Sequence, residues 1–328
     1  MGATGDTGDA GAASNGNARL LQVAAGTHSD AFRPTDWALL LGIAVTWGAS
    51  FLFIDIGLDA FSPYVVGFGR IALGALTLSL VPSARARIDR EDRGRIALLG
   101  VIWMAVPLTL FPIAEQHINS ALAGMLNGGM PILTAVVATA LGLRRPGPLQ
   151  IVGLLVGFAG VVLISLDSFA VGGDQAFGVV LVLGALVCYA FSANLAVPLQ
   201  QKYGGPALML RVELVGVVLT APLAAWGLRT SHFELPSFLA VSVLGVVGTG
   251  LAFALMASLL GRVGATRGSI VTYLMSPVSI LLGWLVRDDH IPVLSVLGTA
   301  VVLLGAFVVS RPDAGARAAA STSGADAS

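Results

Sequence analysis

The chain has 328 residues, of which 56% are hydrophobic and 11% charged; 18 basic and 18 acidic side chains give a formal net charge of zero. An ordinary globular domain carries about 25% charged residues, so these are too few to coat a water-facing surface, and a mean hydropathy of +0.87 points to a membrane. Without excess positive charge or a basic stripe there is no long-range attraction for nucleic acid, and the single Cys188, set in an apolar run, excludes an internal disulfide or a CxxC metal or redox site.

Residues 1–36 read as a solvated, disordered tail, the first 33 being rich in Gly, Ala, Ser and Asp. No signal-peptide pattern precedes the first long apolar run, which begins at Trp37. A hydrocarbon core about 30 Å thick takes roughly 20 helical residues to cross. Such runs recur at 37–56, 63–81, 96–113, 120–141, 149–165, 178–197, 207–227, 238–260, 266–286 and 292–310. They are apolar on all faces, without the alternation of a membrane β-barrel. The expected fold is therefore all-α: a polytopic membrane protein of ten transmembrane helices. Residues 311–328 repeat the polar composition of the start and read as a second disordered tail.

With an even number of spans both tails share a side, and basic residues mark the cytoplasmic one. Placing the N-terminus inside puts Arg19, Arg33, Arg85, Arg87, Arg90, Arg93, Arg95, Arg144, Arg145, Lys202, Arg262, Arg267, Arg311 and Arg317 at the inner side. Arg229 and Arg287 fall outside, and Arg70 and Arg211 lie within spans. The localisation expected is a plasma membrane with both termini cytoplasmic. Arginine outnumbers lysine 17 to 1, as in GC-rich bacterial genomes.

Four landmarks occur twice in the same order. Trp47-Gly-Ala-Ser50 in the first span matches Tyr189-Ala-Phe-Ser192 in the sixth, and Arg70 in the second span matches Arg211 in the seventh. NGGMPILTAV around Pro131 in the fourth matches YLMSPVSILL around Pro277 in the ninth. Each is followed by a charged turn, a proline and a glycine-punctuated run ending in GVVLIS or GAFVVS. A unit of five helices is thus duplicated, over 37–166 and 178–310, and because five is odd the second copy enters from the opposite side. Arg70 lies about seven residues from the outer end of its span and Arg211 about five from the inner end of its own, as inversion requires. Inverted repeats place a solute site near the bilayer midplane, at the interface between the copies.

WGASFLFI, SPYVVGFGR, SALAGMLNGGMPILTAV and GATRGSIVTYLMSPVSILLG, in this order and spacing, resemble the EamA family of the drug/metabolite transporter superfamily over about residues 37–310, in both halves. The resemblance implies ten helices with inside termini and the export or uptake of small metabolites or drugs. Members commonly carry a glutamate just after the fourth and ninth spans; this chain has Leu143-Arg144-Arg145 and Asp288-Asp289 there.

Ionisable groups inside a span are functional candidates because insertion is costly. Arg70 either faces a central cavity, as an anion or gating contact, or snorkels to the outer headgroups. Arg211 is nearer its interface, where snorkelling is easier. Glu213 either carries a coupling proton or hydrogen-bonds a neighbouring helix. Asn127 and Asn194 offer amides to a solute or to interhelical packing. Trp47, Tyr189 and Tyr273 lie away from the interfacial belt and either line a cavity or pack. Ser50 shares a helix face with Trp47, or bonds back to its own helix. Pro131 and Pro277 free a carbonyl each and are candidate hinges. Gly124-xxx-Gly128 and Gly153-xxx-Gly157 are packing features. Glu115 with His117, and Asp288, Asp289 and His290, sit on short loops and do not make a metal site.

The function expected is a secondary transporter of a small metabolite or drug-like solute, working by alternating access, with export the expected direction. There is no GxxxxGK[ST] phosphate loop, so coupling would be to protons, another ion or a counter-solute. The partners are the lipid bilayer and the solute; no cofactor is implied, and the oligomeric state, a homodimer included, stays open. The alternatives are an intramembrane enzyme, for which no GxSxG or HExxH is present, and a non-transporting scaffold.

Overall fold

A computed structural model describes residues 34–142, 148–171, 173–269 and 271–310. Both expected tails up to residue 33 and beyond residue 310, with Arg19, Arg33, Arg144, Arg145, Arg311 and Arg317, lie outside the described residues, as does the side chain of Arg267. All regular structure among the described residues is helical. We label the rods α1 (Pro34–Leu58), α2 (Pro63–Ser79), α3 (Arg90–Ala114), α4 (Ser120–Ala140), α5 (Pro148–Val171), α6 (Gly173–Tyr203), α7 (Gly205–Gly227), α8 (Leu235–Val263), α9 (Val271–Arg287) and α10 (Val293–Ser310). Six of them, α1, α3, α4, α6, α7 and α8, are long and apolar enough to cross a bilayer; the described apolar parts of α2, α5, α9 and α10 are shorter.

Long helices follow from the sequence because apolar surroundings supply no partner for a backbone N–H or C=O outside the helix. Their ends are set by local signals. Ser62 caps α2, accepting from Val65 N at 3.4 Å with Pro63 in the first turn. Asn119 caps α4, accepting from Leu122 N at 2.8 Å. Gly204 and Gly264, at φ of 80° and 82°, turn the chain from α6 into α7 and out of α8. α1 is already helical at Pro34, the first described residue, three residues before the expected Trp37. Three rods are not α-helical throughout: α3 widens into a π segment at Gly100–Ala105, α8 does so at Leu244–Leu251, and α4 is interrupted at Gly128 and Gly129.

Successive helices run in opposite directions, so the bundle has two ends, one carrying the α2–α3 connection and the other the α3–α4 connection. α1 packs on α8, α9 and α4; α2 on α7 and α8; α3 on α6 and α7; α4 on α6 and α9. α5 and α10 pair with each other at the periphery. Large apolar side chains such as Leu155 and Phe158 of α5, Val218 of α7 and Phe307 of α10 point outward and are exposed. So much apolar surface fits lipid rather than water, and the chain is a multi-pass membrane protein.

Helices in lipid approach closely through small residues, and the glycine spacings do so here. Gly157 and Gly160 of α5 lie against Gly305 and Val302 of α10, and Gly124 of α4 lies against Ser279 of α9. A Cβ at Gly160 would sit 2.5 Å from Val302 N and 2.8 Å from Gly298 O, backbone atoms that cannot swing aside. Gly160→Leu is therefore expected to destabilise the protein by about 1–3 kcal/mol, read as a lower unfolding temperature in detergent. Gly42→Ala, at an exposed position with nothing within 4 Å, should leave it unchanged or slightly raised.

Candidate functional site

A narrow cavity lies inside the bundle, with about 70 Å³ of free space; roughly 10–15 Å³ is enough for one water. α1 contributes Trp47, Ser50 and Phe51, α2 contributes Arg70, and α3 contributes Trp103 and Phe111. Asn127 and Met130 come from α4, Tyr189 from α6, Phe253 and Met256 from α8, and Thr272 and Met275 from α9. Side chains from both halves of the chain thus converge on one space.

The aromatic wall is continuous. Phe253 stands 4.8 Å from Trp47, 6.1 Å from Trp103 and 6.4 Å from Tyr189, centroid to centroid. Tyr189 stacks on Phe111 at 5.9 Å, and Phe111 meets Phe51 edge-on at 5.8 Å. Trp47 is fixed by its Nε1, which donates to Gly248 O at 2.8 Å. That carbonyl belongs to the π segment of α8, whose widened turn presents backbone groups an α-helix would keep to itself.

Arg70 is 4% exposed, enclosed within the bundle rather than extended to its surface. Its Nε donates to Thr249 Oγ1 at 3.2 Å, also in the π segment, and Thr249 in turn donates to Leu244 O. Among the described residues no carboxylate comes within ion-pair distance of Arg70, and it is the one charged side chain on the cavity wall.

The other candidates are placed as follows. Ser50 lines the cavity while donating back to Thr46 O at 3.0 Å. Asn127 lines it beside the break in α4 at Gly128 and Gly129. Asn194 is spent on packing, donating to Thr134 O at 3.1 Å and Ala190 O at 2.9 Å. Tyr273 is half-buried on α9, outside the lining. Arg211 donates to Ala84 O and Ala86 O at 3.2 and 3.1 Å, reaching the α2–α3 connection rather than the cavity. Glu213 is fully buried on α7; among the described residues its oxygens have no hydrogen-bond partner. It closes over Gly74 of α2 together with Thr249: a Cβ on Gly74 would lie 3.1 Å from Glu213 Oε2 and 3.0 Å from the Thr249 methyl. Pro131 is buried in the first turn after the α4 break, whereas Pro277 is exposed within α9, so the two prolines do not share an environment. Among the described residues α7 contributes no lining residue, whereas α3 and α8 do.

Both ends of the bundle are tied by polar contacts. At the α2–α3 end, buried Asp36 of α1 pairs with Arg262 of α8 at 2.8 Å, and Lys202 of α6 pairs with Asp89 at 2.7 Å and Asp92 at 2.8 Å. The hydrogen bond from Lys202 holds the exposed Asp89 carboxyl below its ordinary value. Its contribution is present above the unfolded carboxylate value of about 3.9 and is lost as pH falls through the lower folded one. At the α3–α4 end, Arg287 of α9 pairs with Asp55 of α1 and, at 2.8 Å, with Asp59 just beyond it. His117 meets Asp174 of α6 at 2.7 Å. Asp289 accepts from Ser120 Oγ at 3.2 Å and Ala121 N at 3.3 Å, adding a cap to α4 from the second half of the chain. Glu115, expected on an open loop, is buried, and among the described residues its oxygens have no hydrogen-bond partner.

The profile of the EamA-like transporter family matches residues 37–166 and again 176–311. An uncharacterized transporter of Archaeoglobus fulgidus is 24% identical over 84% of this chain and 98% of its own length. A protein of Streptantibioticus cattleyicolor named a probable terminal-alkyne amino-acid exporter is 24% identical over 88% and 97%. The uncharacterized inner membrane transporter YedA of Escherichia coli K12 is 24% identical over 83% and 89%. A solved crystal structure superposes with a TM-score of 0.63 over 85% of this chain and 97% of that one, at 17% identity, a likeness of fold. With both of its halves matched, the chain belongs to the EamA-like transporter family, within the drug/metabolite transporter superfamily.

Proposed function

We propose that the protein is a ten-helix secondary transporter, built of two inverted five-helix repeats, that exports a small solute across a bacterial plasma membrane by alternating access. The observation that carries this is the cavity at the seam between the halves, lined from both and tied across at each end. The packing supports inversion. Exchanging each helix with the one five places along turns α1–α9 into α6–α4, α2–α8 into α7–α3 and α3–α6 into α8–α1, and it returns α2–α7, α4–α9 and α5–α10 to themselves. The π segments of α3 and α8 exchange in the same way. So do two polar contacts at opposite ends, Asp36–Arg262 and Asp174–His117, each joining the start of a repeat's first helix to the end of the other repeat's third.

The arginines of the α2–α3 connection make that end cytoplasmic, with both termini inside. Export agrees with the name of the Streptantibioticus relative. Rocking one half against the other breaks the end contacts in turn, exposing the cavity to one side at a time.

Glu213 is the candidate for proton coupling. A carboxylate buried without a partner is costly in a membrane, and it borders the Thr249 turn that holds Arg70. Gly74 of α2 and Thr249 and Gly250 of α8 face it, and among the described residues no cation lies within ion-pair distance.

In proteoliposomes the purified protein is expected to drive solute flux that responds to an imposed pH gradient, and Glu213→Gln to retain flux without that response. Absence of flux across a broad solute panel would refute the transporter reading; an unchanged response would remove Glu213 from coupling. Ser269, just ahead of α9, also lines the cavity, so in a Cys188→Ser, Ser269→Cys background impermeant maleimide reports access to the cavity from each side. Removing one ion pair worth about 1 kcal/mol shifts a two-state balance roughly fivefold. Arg262→Gln should raise labelling from the cytoplasmic side, and Arg287→Gln from the opposite side; equal labelling from both sides in either variant speaks against the end contacts as gates.

A further inference from the structure

Among the described residues the charge on the cavity wall has no counter-charge within ion-pair distance, and that bears on what the cavity takes. Resting on the transporter reading, the geometry points to a solute that is a small organic acid with a flat apolar body, its carboxylate bound by Arg70 and its body lying against the aromatic wall of Trp47, Tyr189 and Phe253.

A guanidinium enclosed among apolar side chains gives up its hydration and must recover it from hydrogen bonds and a counter-charge. Here one of the five N–H groups of Arg70 is engaged, by Thr249 Oγ1. Among the described residues the remaining donors meet no carboxylate and no carbonyl. Thr249 holds Nε, leaving the terminal nitrogens for a ligand. A guanidinium fork matches a carboxylate with two parallel hydrogen bonds, a fit that a neutral or cationic group cannot make.

The carboxylates nearest this region do not take that role. Glu115 lies within electrostatic reach of Arg70 but is not part of the cavity wall and makes no ion pair. Asp55 is bound by Arg287, and Asp289 is occupied as the cap on α4. Tyr189, the other titratable group facing Arg70, is a neutral phenol in the wall. A cationic solute would meet Arg70 in the same space without a facing carboxylate, so the aromatic rings serve here as stacking surfaces rather than as a cation cage.

The rest of the wall selects the body. Ring faces, Met256 and Met275 offer broad apolar contact, while Asn127 and Thr272 provide single polar groups. Arg70 therefore fixes the head of the solute, and the apolar wall accepts a planar or unsaturated remainder.

Three probes with one body and different heads separate the possibilities: phenylacetate, its neutral amide phenylacetamide, and the cation phenethylamine. Binding to the purified protein is measured by equilibrium titration, and flux of each in proteoliposomes. Phenylacetate is expected to bind at least tenfold more tightly than the amide, and the amine not at all. Arg70→Gln should equalise acid and amide, Arg70→Lys should keep a reduced preference, and Thr249→Val should weaken the acid several-fold. Should Arg70→Gln fail to fold, the ranking of the three probes on the unaltered protein decides. Tighter binding of the amine or amide, no binding of the acid, or an acid preference that survives in a folded Arg70→Gln variant overturns the inference. Flux of neutral or cationic solutes without any acid would sink this assignment and leave the transporter standing, whereas absence of flux for every class would sink the transporter itself.

Discussion

Hydrocarbon gives a polypeptide nothing to hydrogen-bond with, so polar groups in this chain are driven to partners within the bundle, although Glu213 and Glu115 find none among the described residues. Most reach theirs by the shortest route. Ser50, Thr134, Ser192, Thr220 and Ser258 all donate to the carbonyl one turn back on their own helix. Those that cannot close on themselves are turned toward the seam. Trp47 donates to the carbonyl of Gly248, and Arg70 to the hydroxyl of Thr249, both in the widened turn of α8. The same constraint, applied to shape, makes glycine the residue of closest approach, at α5–α10 and α4–α9. Cavity, ties and crossings are thus consequences of one solvent.

The widened turns of α3 and α8 carry more of the site than their length suggests. A π segment displaces the helical ladder by one residue, and the one in α8 supplies partners to the ring of α1 and the guanidinium of α2 at neighbouring positions. Its other face, at Gly250 and the Thr249 methyl, borders Glu213 of α7. A change in the charge of Glu213 and a change in what Arg70 binds would both be felt by this one turn, which gives the proposed coupling a physical route a few residues long.

Much of this was legible in the sequence. Apolar runs of the right length located the helices, and a lone arginine, a tryptophan, a tyrosine and an amide away from the membrane interfaces named Arg70, Trp47, Tyr189 and Asn127, all of which line the cavity. Trp103, Phe111 and Phe253 were not legible, because an aromatic ring in an apolar run looks the same whether it packs against a neighbour or faces a void. The ties between distant segments were hidden for a different reason. Asp36 and Arg262 lie far apart along the chain, and nothing local to either announces the other. Asn194 and Tyr273 had the same composition-level signal as Asn127 and Tyr189 but fall on other faces of their helices, a matter of rotation that a helix apolar all round does not encode. Matched prolines suggested matched hinges, yet one starts a helix after a glycine pair and the other looks outward, so a shared residue type did not carry a shared environment.

Asp289 has a bearing on how the molecule is made. It sits in the connection after α9, yet it caps the first turn of α4, accepting from Ala121 N beside the cap that Asn119 already gives to Leu122 N. Domains generally fold as units in the order they are synthesised, and α4 leaves the ribosome long before Asp289 exists. Until then the opening turn of α4 keeps a donor unmet in surroundings that leave few substitutes. The first repeat is therefore finished by the second: the last two helices to be inserted supply the contact that settles an early one, and the two halves, for all their likeness, are not interchangeable in time.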